Sequence, residues 1–211
     1  MKICVVTPLY ALAGVPLAQI RFARALADKG HDVDLIIGYV GPQYNLPEIV
    51  GVNVLVMGQR HVRGMLLPLW KYLRSSQPDV VFSAEDHLNI VVLIAAIVSG
   101  AKTKISCSSR VTPFDTYSNT LFTKRWVLKQ CMRTVMWRAD SLTCVSWGTV
   151  EEYRRVFNSP PHVCVYNIVD DKRSRMLMHV PVEHEWFLNK EIPVLVAAGR
   201  LAPWKGYADL I

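Results

Sequence analysis

KICVVTPLYALAGVPLAQIRFARALADKGHDVDLIIG (residues 2–38) decides the fold class of this chain. KICVVTPLY carries the β-branched apolar run of a strand buried on both faces, and HDVDLIIG repeats it. Between them, after the turn ALAGVPLAQ, Leu17, Ile20, Phe22, Ala23, Leu26 and Ala27 recur at helical spacing. Arg21, Arg24 and Lys29 fall mostly off that stripe, and Gly30 stands where a helix C-cap takes a left-handed residue. Strand, turn, helix and strand in this order make a βαβ unit.

Working outward, short apolar segments repeat the theme: NVLVMG (53–58), DVVFS (79–83), KISCSS (104–109), SLTCVS (141–146) and HVCVYN (162–167). Alternation of such segments with helical stretches predicts an α/β fold built on a doubly wound parallel sheet. Ligands of these sheets bind at the carboxyl ends of the strands, so function is sought in the loops that follow them. The first such loop, LAGVP, has one glycine where a dinucleotide fingerprint needs three, which argues against NAD. Gly14 there either lets a substrate approach the start of the helix or only serves the turn. Asp32 and Asp34 lie at the start of a strand, on one face, beside Gly30 and His31, and read as structural rather than metal-binding.

The 211 residues are 51% hydrophobic and 19% charged, rich enough in apolar groups for a buried sheet. The longest uncharged apolar run, LNIVVLIAAIVSG (88–100), has 13 residues and is too short to span a bilayer, so it is assigned to a core helix. The amino terminus lacks the hydrophobic stretch and cleavage site of a secretory signal. Five cysteines without CxxC spacing fit a reducing, cytoplasmic setting and no metal. A net charge of +7 favours anionic partners: phosphate-bearing ligands or an acidic membrane surface. No nucleic-acid-binding motif accompanies that charge, so no nucleic acid is expected.

Glu85, Asp86 and His87 follow the DVVFS strand directly. They could supply a general base or orient a hydroxyl, or simply form a solvated loop in which Asp86 or Asn89 caps the next helix. SCSSRVTP (106–113) places hydroxyls and Arg110 at a strand end, suited to a phosphate or sugar hydroxyl, or to a structural loop. KRWVLKQCMRTVMWR (124–138) reads either as a helix lying on an anionic bilayer or as an amphipathic helix with a solvated basic face. Near the C-terminus, IPVLVAA (192–198) predicts another buried strand. Gly199, Arg200, Lys205 and Gly206 after it offer guanidinium, ammonium and helix amides to one anion, a diphosphate being the natural guest.

The order of these features resembles glycosyltransferase family 4 enzymes of the GT-B fold, in particular those that build bacterial surface polysaccharides. The likeness is carried by GVPLAQIRFARALADKGHDVDLI (14–36), PDVVFS with LNIVVLIAA (78–96), ADSLTCVSWGTVEEY (139–153), VYNIVDD (165–171) and HEWF with IPVLVAAGRLAPWKGYADLI (184–211). The resemblance implies two Rossmann-like domains, one for the acceptor and one for a nucleotide-sugar. It also implies transfer to a hydroxyl with retention of configuration and without an essential metal or other cofactor. Gly199, Arg200, Lys205 and Gly206 match the donor-diphosphate loop, and Asn167 and Asp170 an interdomain hinge. Gly14, with Val15, matches the acceptor loop, where Ala13 replaces a second glycine. Ser108 and Arg110 match the ends of a Ser-Glu-Arg pattern that lacks its Glu here, and the catalytic assignment rests on His87, Glu85 and Asp86.

The expected organisation is an acceptor domain over 1–170, a linker over 171–191, and the first strand, loop and partial helix of a donor domain over 192–211. Such a piece is expected to be weak or inactive alone. Its partners would be a nucleotide-sugar, a glycan or lipid-linked acceptor, and an anionic surface on the inner face of the membrane. A non-catalytic glycan- or lipid-binding module and a nucleotide-sugar epimerase remain alternatives.

Overall fold

Each of the seven strand segments legible between residues 2 and 167 forms a strand. The computed structural model describes residues 1–11, 14–46, 48–168, 172–188, 192–199, 201 and 203–210. The chain divides into two units, Met1–Val169 and Asp170–Ile211. In the first, the order is β1 (Lys2–Tyr10), α1 (Gly14–Ala27), β2 (Asp32–Val40), β3 (Val52–Val56), α2 (Leu66–Ser76), β4 (Val80–Ala84) and α3 (Asp86–Ser99). There follow β5 (Lys104–Ser109), α4 (Pro113–Thr116), α5 (Lys124–Val135), β6 (Ser141–Cys144), α6 (Trp147–Val156) and β7 (His162–Cys164). The strands form one parallel sheet in the order β3-β2-β1-β4-β5-β6-β7.

Hydrophobicity sorts the strands. β1 and β2, nearly unbroken apolar runs, take interior places, with Ile3 paired to Val33 on one side and Val80 on the other. The sheet separates two cores. On one side Cys4, Val6, Val81, Ile105, Cys107 and Leu142 meet Leu69 and Leu73 of α2, Leu88 and Leu93 of α3, Met132 of α5 and Val150 of α6. On the other, Ile3, Val5, Val33 and Leu35 meet Ala23, Ile20, Phe22 and Leu26 of α1. α3 is apolar almost all round because it lies between α2 and α5 and over the sheet. Burying a leucine such as Leu88 or Leu93 contributes about 1.5–3 kcal/mol. Gly100, with φ +67, ends it. Side-chain oxygens of Thr123 and Ser146 accept from backbone N–H groups at the starts of α5 and α6, each cap worth about 1 kcal/mol.

Alternation puts Ser106, Ser108, Ser141 and Thr143 on the α1 side of β5 and β6, at pairs Ser106–Ser141 and Ser108–Thr143. Asp34 is buried and structural: it accepts from Asn53 Nδ2 at 2.7 Å and from the Tyr72 hydroxyl at 2.5 Å, with Lys2 Nζ at 3.7 Å. Asp32, two residues earlier, is exposed.

The second unit holds α7 (Lys172–Met178), α8 (Glu185–Leu188), a single 3-10 turn at Pro203–Lys205 and α9 (Tyr207–Leu210). The stretch expected to be a linker is thus partly helical. The strand expected at 192–198 is not formed, and Ile192, Leu195 and Val196 are 75%, 82% and 77% exposed. A strand needs a neighbour for its N–H and C=O groups. Among the described residues of this unit there is no other extended segment in a ladder, so an apolar composition alone does not make one.

Candidate functional site

The sheet reverses its order of winding between β1 and β4, and the loops at the carboxyl ends of the strands nearby are tied down by two buried networks. In the first, Ser83 Oγ donates to Asn89 Oδ1 at 2.6 Å, and Asn89 Nδ2 donates to the Ser108 carbonyl at 3.1 Å. The same carbonyl also takes the Glu85 N–H at 3.0 Å. This fastens the β4–α3 turn to the end of β5. Glu85 holds φ +79 there, a conformation that side chains with a Cβ rarely adopt. In the second, buried Asp86 accepts from Ser109 Oγ at 2.9 Å, the Tyr117 hydroxyl at 2.6 Å and the Tyr153 hydroxyl at 3.2 Å. Of the two readings open in the sequence, the capping one does not hold: neither Asp86 nor Asn89 caps α3, and both carboxyl and amide turn inward to these partners. His87 stays exposed, with Nε2 3.2 Å from Glu85 Oε2. Burial raises the Glu85 carboxyl above its usual range, the Asp86 charge adds to that, and His87 opposes it.

Beside these networks lies a cavity of about 270 Å³. Ser108 and Thr143 line it from the strands, Gln19 and Phe22 from α1, and Tyr166 and Asn167 from the segment after β7. Arg110 reaches in from the end of β5 and donates through Nη1 to Asn167 Oδ1. The segment is tethered at its start by Val165 N–H to the Cys144 carbonyl at 2.8 Å, and further on by Arg21 Nη1 to the Ile168 carbonyl at 3.4 Å. The fold therefore brings together Ser108, Arg110 and Asn167, three of the residues singled out in the sequence. Burial pulls Arg110 below its usual pKa, yet a guanidinium stays charged in proteins. Among the described residues it forms no ion pair, and its buried Nε has no hydrogen-bond partner. A desolvated cation with a donor to spare, next to hydroxyls and an amide, suits a phosphate or a polyhydroxylated ligand. A larger depression of about 900 Å³ lies at the amino ends of β4 and β5, beside Pro78, Asp79 and Lys104, away from the ends where such sheets bind ligands.

Gly14 opens α1 with φ +58 and is exposed, with open space where a Cβ would sit; Val15 follows it, half-buried. Neither lines the cavity. In the second unit, Gly199 lies under the Tyr207 ring, where a Cβ would stand 2.7 Å from the hydroxyl. Lys205 ends the 3-10 turn, and Gly206 has φ +67. Arg200 and Asp170, assigned to the diphosphate loop and the hinge, fall outside the described residues. Thr143 and Gln19 were not singled out in the sequence. The signal for Thr143 was present, since it shares the strand alternation of Ser108.

The network around Asp86 has a pH signature. Burial, the Asp86 charge and the hydrogen bond to it push the Tyr117 and Tyr153 phenols far above their usual range. A phenol whose folded pKa exceeds its unfolded value of 10.0 contributes stability that is complete below that pH. Above it the unfolded chain ionises first, and the contribution is lost as pH rises. Spectrophotometric titration should show Tyr117 and Tyr153 ionising only as the chain unfolds, as should Tyr72, whose phenol burial also raises. Ionisation of Tyr117 and Tyr153 with the circular dichroism of the fold intact would contradict this account.

Comparison with known proteins matches residues 14–173 to the model of the family described as Glycosyltransferase Family 4. Among solved structures, the apo lipopolysaccharide outer core galactosyltransferase WaaB is similar, with TM-score 0.58 and 14% identity over 82% of this chain and 47% of that one. HepE of Anabaena in complex with UDP-glucose gives TM-score 0.59 and 14% identity over 81% and 44%. Sucrose-phosphate synthase from Thermosynechococcus elongatus gives TM-score 0.62 and 11% identity over 85% and 53%. The chain thus spans about half the length of these structures. No curated protein sequence matches it.

Proposed function

The chain belongs to Glycosyltransferase Family 4, and from that premise we propose that it supplies the acceptor side of a sugar transfer from a nucleotide-sugar to a hydroxyl of a glycan or lipid-linked acceptor. The reading is supported above all by the gathering of Ser108, Arg110, Thr143 and Asn167 around one cavity at the carboxyl ends of β5 and β6 and the segment after β7. Hydroxyls and an amide meet sugar hydroxyls, and Arg110 meets a phosphate or a ring oxygen. Gly14 and Val15 let the far end of the acceptor pass over the start of α1. Of the three ionisable residues after β4, His87 is exposed enough to meet the reacting hydroxyl, with Glu85 orienting its ring. Asp86 lies behind them and acts as a positioning residue. Gly199, Arg200, Lys205 and Gly206 hold the donor diphosphate, Asn167 and Asp170 serve as the hinge, transfer proceeds with retention, and no metal is essential. The place of action is the cytoplasm or the inner face of the membrane.

Arg110 provides the test. Saturation-transfer NMR on the 211-residue chain with free oligosaccharides and prenyl-diphosphate sugars should detect binding. Arg110→Ala should weaken it by about tenfold or more, since hydrogen bonds to a charged group are worth about 1.5–3 kcal/mol. The unfolding midpoint should stay near that of the parent. Binding that is indifferent to Arg110 would sink the assignment of this cavity.

A further inference from the structure

α5 and the loop before it carry a surface that the proposed transfer does not use. Between residues 119 and 138 there are five cations, Lys124, Arg125, Lys129, Arg133 and Arg138, and no carboxylate. Two are committed to the fold: Arg125 donates to the Phe114 and Tyr117 carbonyls, and Arg138 to the Ala101 and Thr103 carbonyls. Lys124 and Arg133 are exposed and form no ion pair among the described residues, and Lys129 donates only to Asn119 Oδ1 at 2.7 Å. A helix that merely faces water usually mixes acids among its bases, because like charges four residues apart repel. Here packing and the neighbouring Arg133 hold the Lys129 ammonium below its usual pKa.

Large aromatic side chains share this face. Phe122 is 87% exposed at φ +60, and its ring lies 5.8 Å from that of Trp126. Trp126 and Arg133 are seven residues apart on α5 and so lie along one side of it, with Met132 and Val135 turned into the core. Trp137, just past the end of α5, is 69% exposed. Lys129 and Arg133 lie between the two tryptophans in the chain. Exposed Phe122 and Trp137, with half-buried Trp126 and Lys129 and exposed Arg133 between them in the chain, suit a lipid surface: the rings enter the headgroup layer and the cations meet anionic phosphates. Stacking of nucleic-acid bases would ask instead for aromatics set along a basic groove. Among the described residues no helix is long and apolar enough to cross a membrane.

We propose that the ridge formed by Phe122, Trp126, Lys129, Arg133 and Trp137 docks the protein on an anionic lipid bilayer. It is independent of the transfer reaction, so its test needs no activity. The 211-residue chain is floated with vesicles of phosphatidylcholine alone and of phosphatidylcholine with phosphatidylglycerol. It should bind the second kind, release in high salt, and shift its tryptophan emission to the blue on binding. Removing a surface cation should weaken binding by about fivefold, so Lys129→Glu with Arg133→Glu should cost at least tenfold. Phe122→Ser with Trp137→Ser should weaken binding by a comparable factor. The same charge change at the end of α1 and the turn after it, Arg24→Glu with Lys29→Glu, should leave most of it in place. Circular dichroism checks that each variant folds, and Lys129→Gln with Arg133→Gln replaces the reversal if it does not. Equal binding to neutral vesicles, no binding to either kind, an equal loss from the α1 control, or indifference to the aromatic pair overturns the proposal. So does binding to single-stranded DNA through the same residues without binding to vesicles.

Discussion

Asp86→Ala should remove about 3–5 kcal/mol of stability, the scale found when one partner of a buried charged network is deleted. The carboxylate is 5% exposed and takes hydrogen bonds from Ser109, Tyr117 and Tyr153. Alanine would leave three hydroxyls buried without an acceptor and a void where the carboxyl stood. A domain of this kind has about 5–15 kcal/mol in all, so the loss approaches the whole in the least favourable case. Burial raises the Asp86 pKa, while the three hydroxyl donors hold it down. Asp86→Asn keeps Oδ1 for Ser109 and Tyr117, and its amide can donate to Tyr153, so it should cost only about 1 kcal/mol. Denaturant melts of the two variants compare directly. If alanine is as mild as asparagine, the network does not hold the crest of the sheet. Because Ser109 precedes Arg110, the same substitution should also loosen the cavity before the fold is lost.

Gly38→Ala is the second large effect. A Cβ at that position in β2 would come within 2.3 Å of the Pro8 carbonyl oxygen and 2.7 Å of Met65 Sδ. The methionine can swing aside. The carbonyl cannot, because Thr7 and Leu9 on either side are in register with Ile37 and Tyr39 in the ladder of β1 and β2. Spreading two central strands belongs at the upper end of overpacking costs, about 3 kcal/mol. For a unit of this size the melting temperature should fall by roughly 10 °C. A midpoint within about 0.5 kcal/mol of the parent would show that the strands part more easily than close packing allows.

Gly38 also shows where a sequence stops being legible. It sits in an apolar strand with nothing to mark the close approach of a neighbour; only the pairing of β1 with β2 reveals it. The strands themselves could be read because burial on both faces leaves an unbroken apolar run, and because KISCSS and SLTC alternate in the way a half-apolar strand must. Ser108, Arg110 and Asn167 could be read because they stand at or just beyond the carboxyl ends of strands. The direction of Asp86 could not, since its partners Tyr117 and Tyr153 lie 31 and 67 residues away in the chain. The apolar run at 192–198 says that burial would be favourable but names no partner, and without one it stays irregular.

The hydroxyl-lined side of β5 and β6 follows from chirality. In a sheet of L-residues, a crossover to the next parallel strand turns with one hand, so its helix falls on one face when the chain steps outward in one direction and on the other when it steps back. From β4 onward every step runs the same way, which sends α3, α5 and α6 to a single side. Only the step from β1 to β2 places a helix, α1, on the opposite side. The crevice floor beyond α1 is therefore uncovered by these crossovers before any side chain is chosen. Serine and threonine suit it because what meets them there can be water or a guest. The mirror image of this topology would place its floor on the other face with the same necessity.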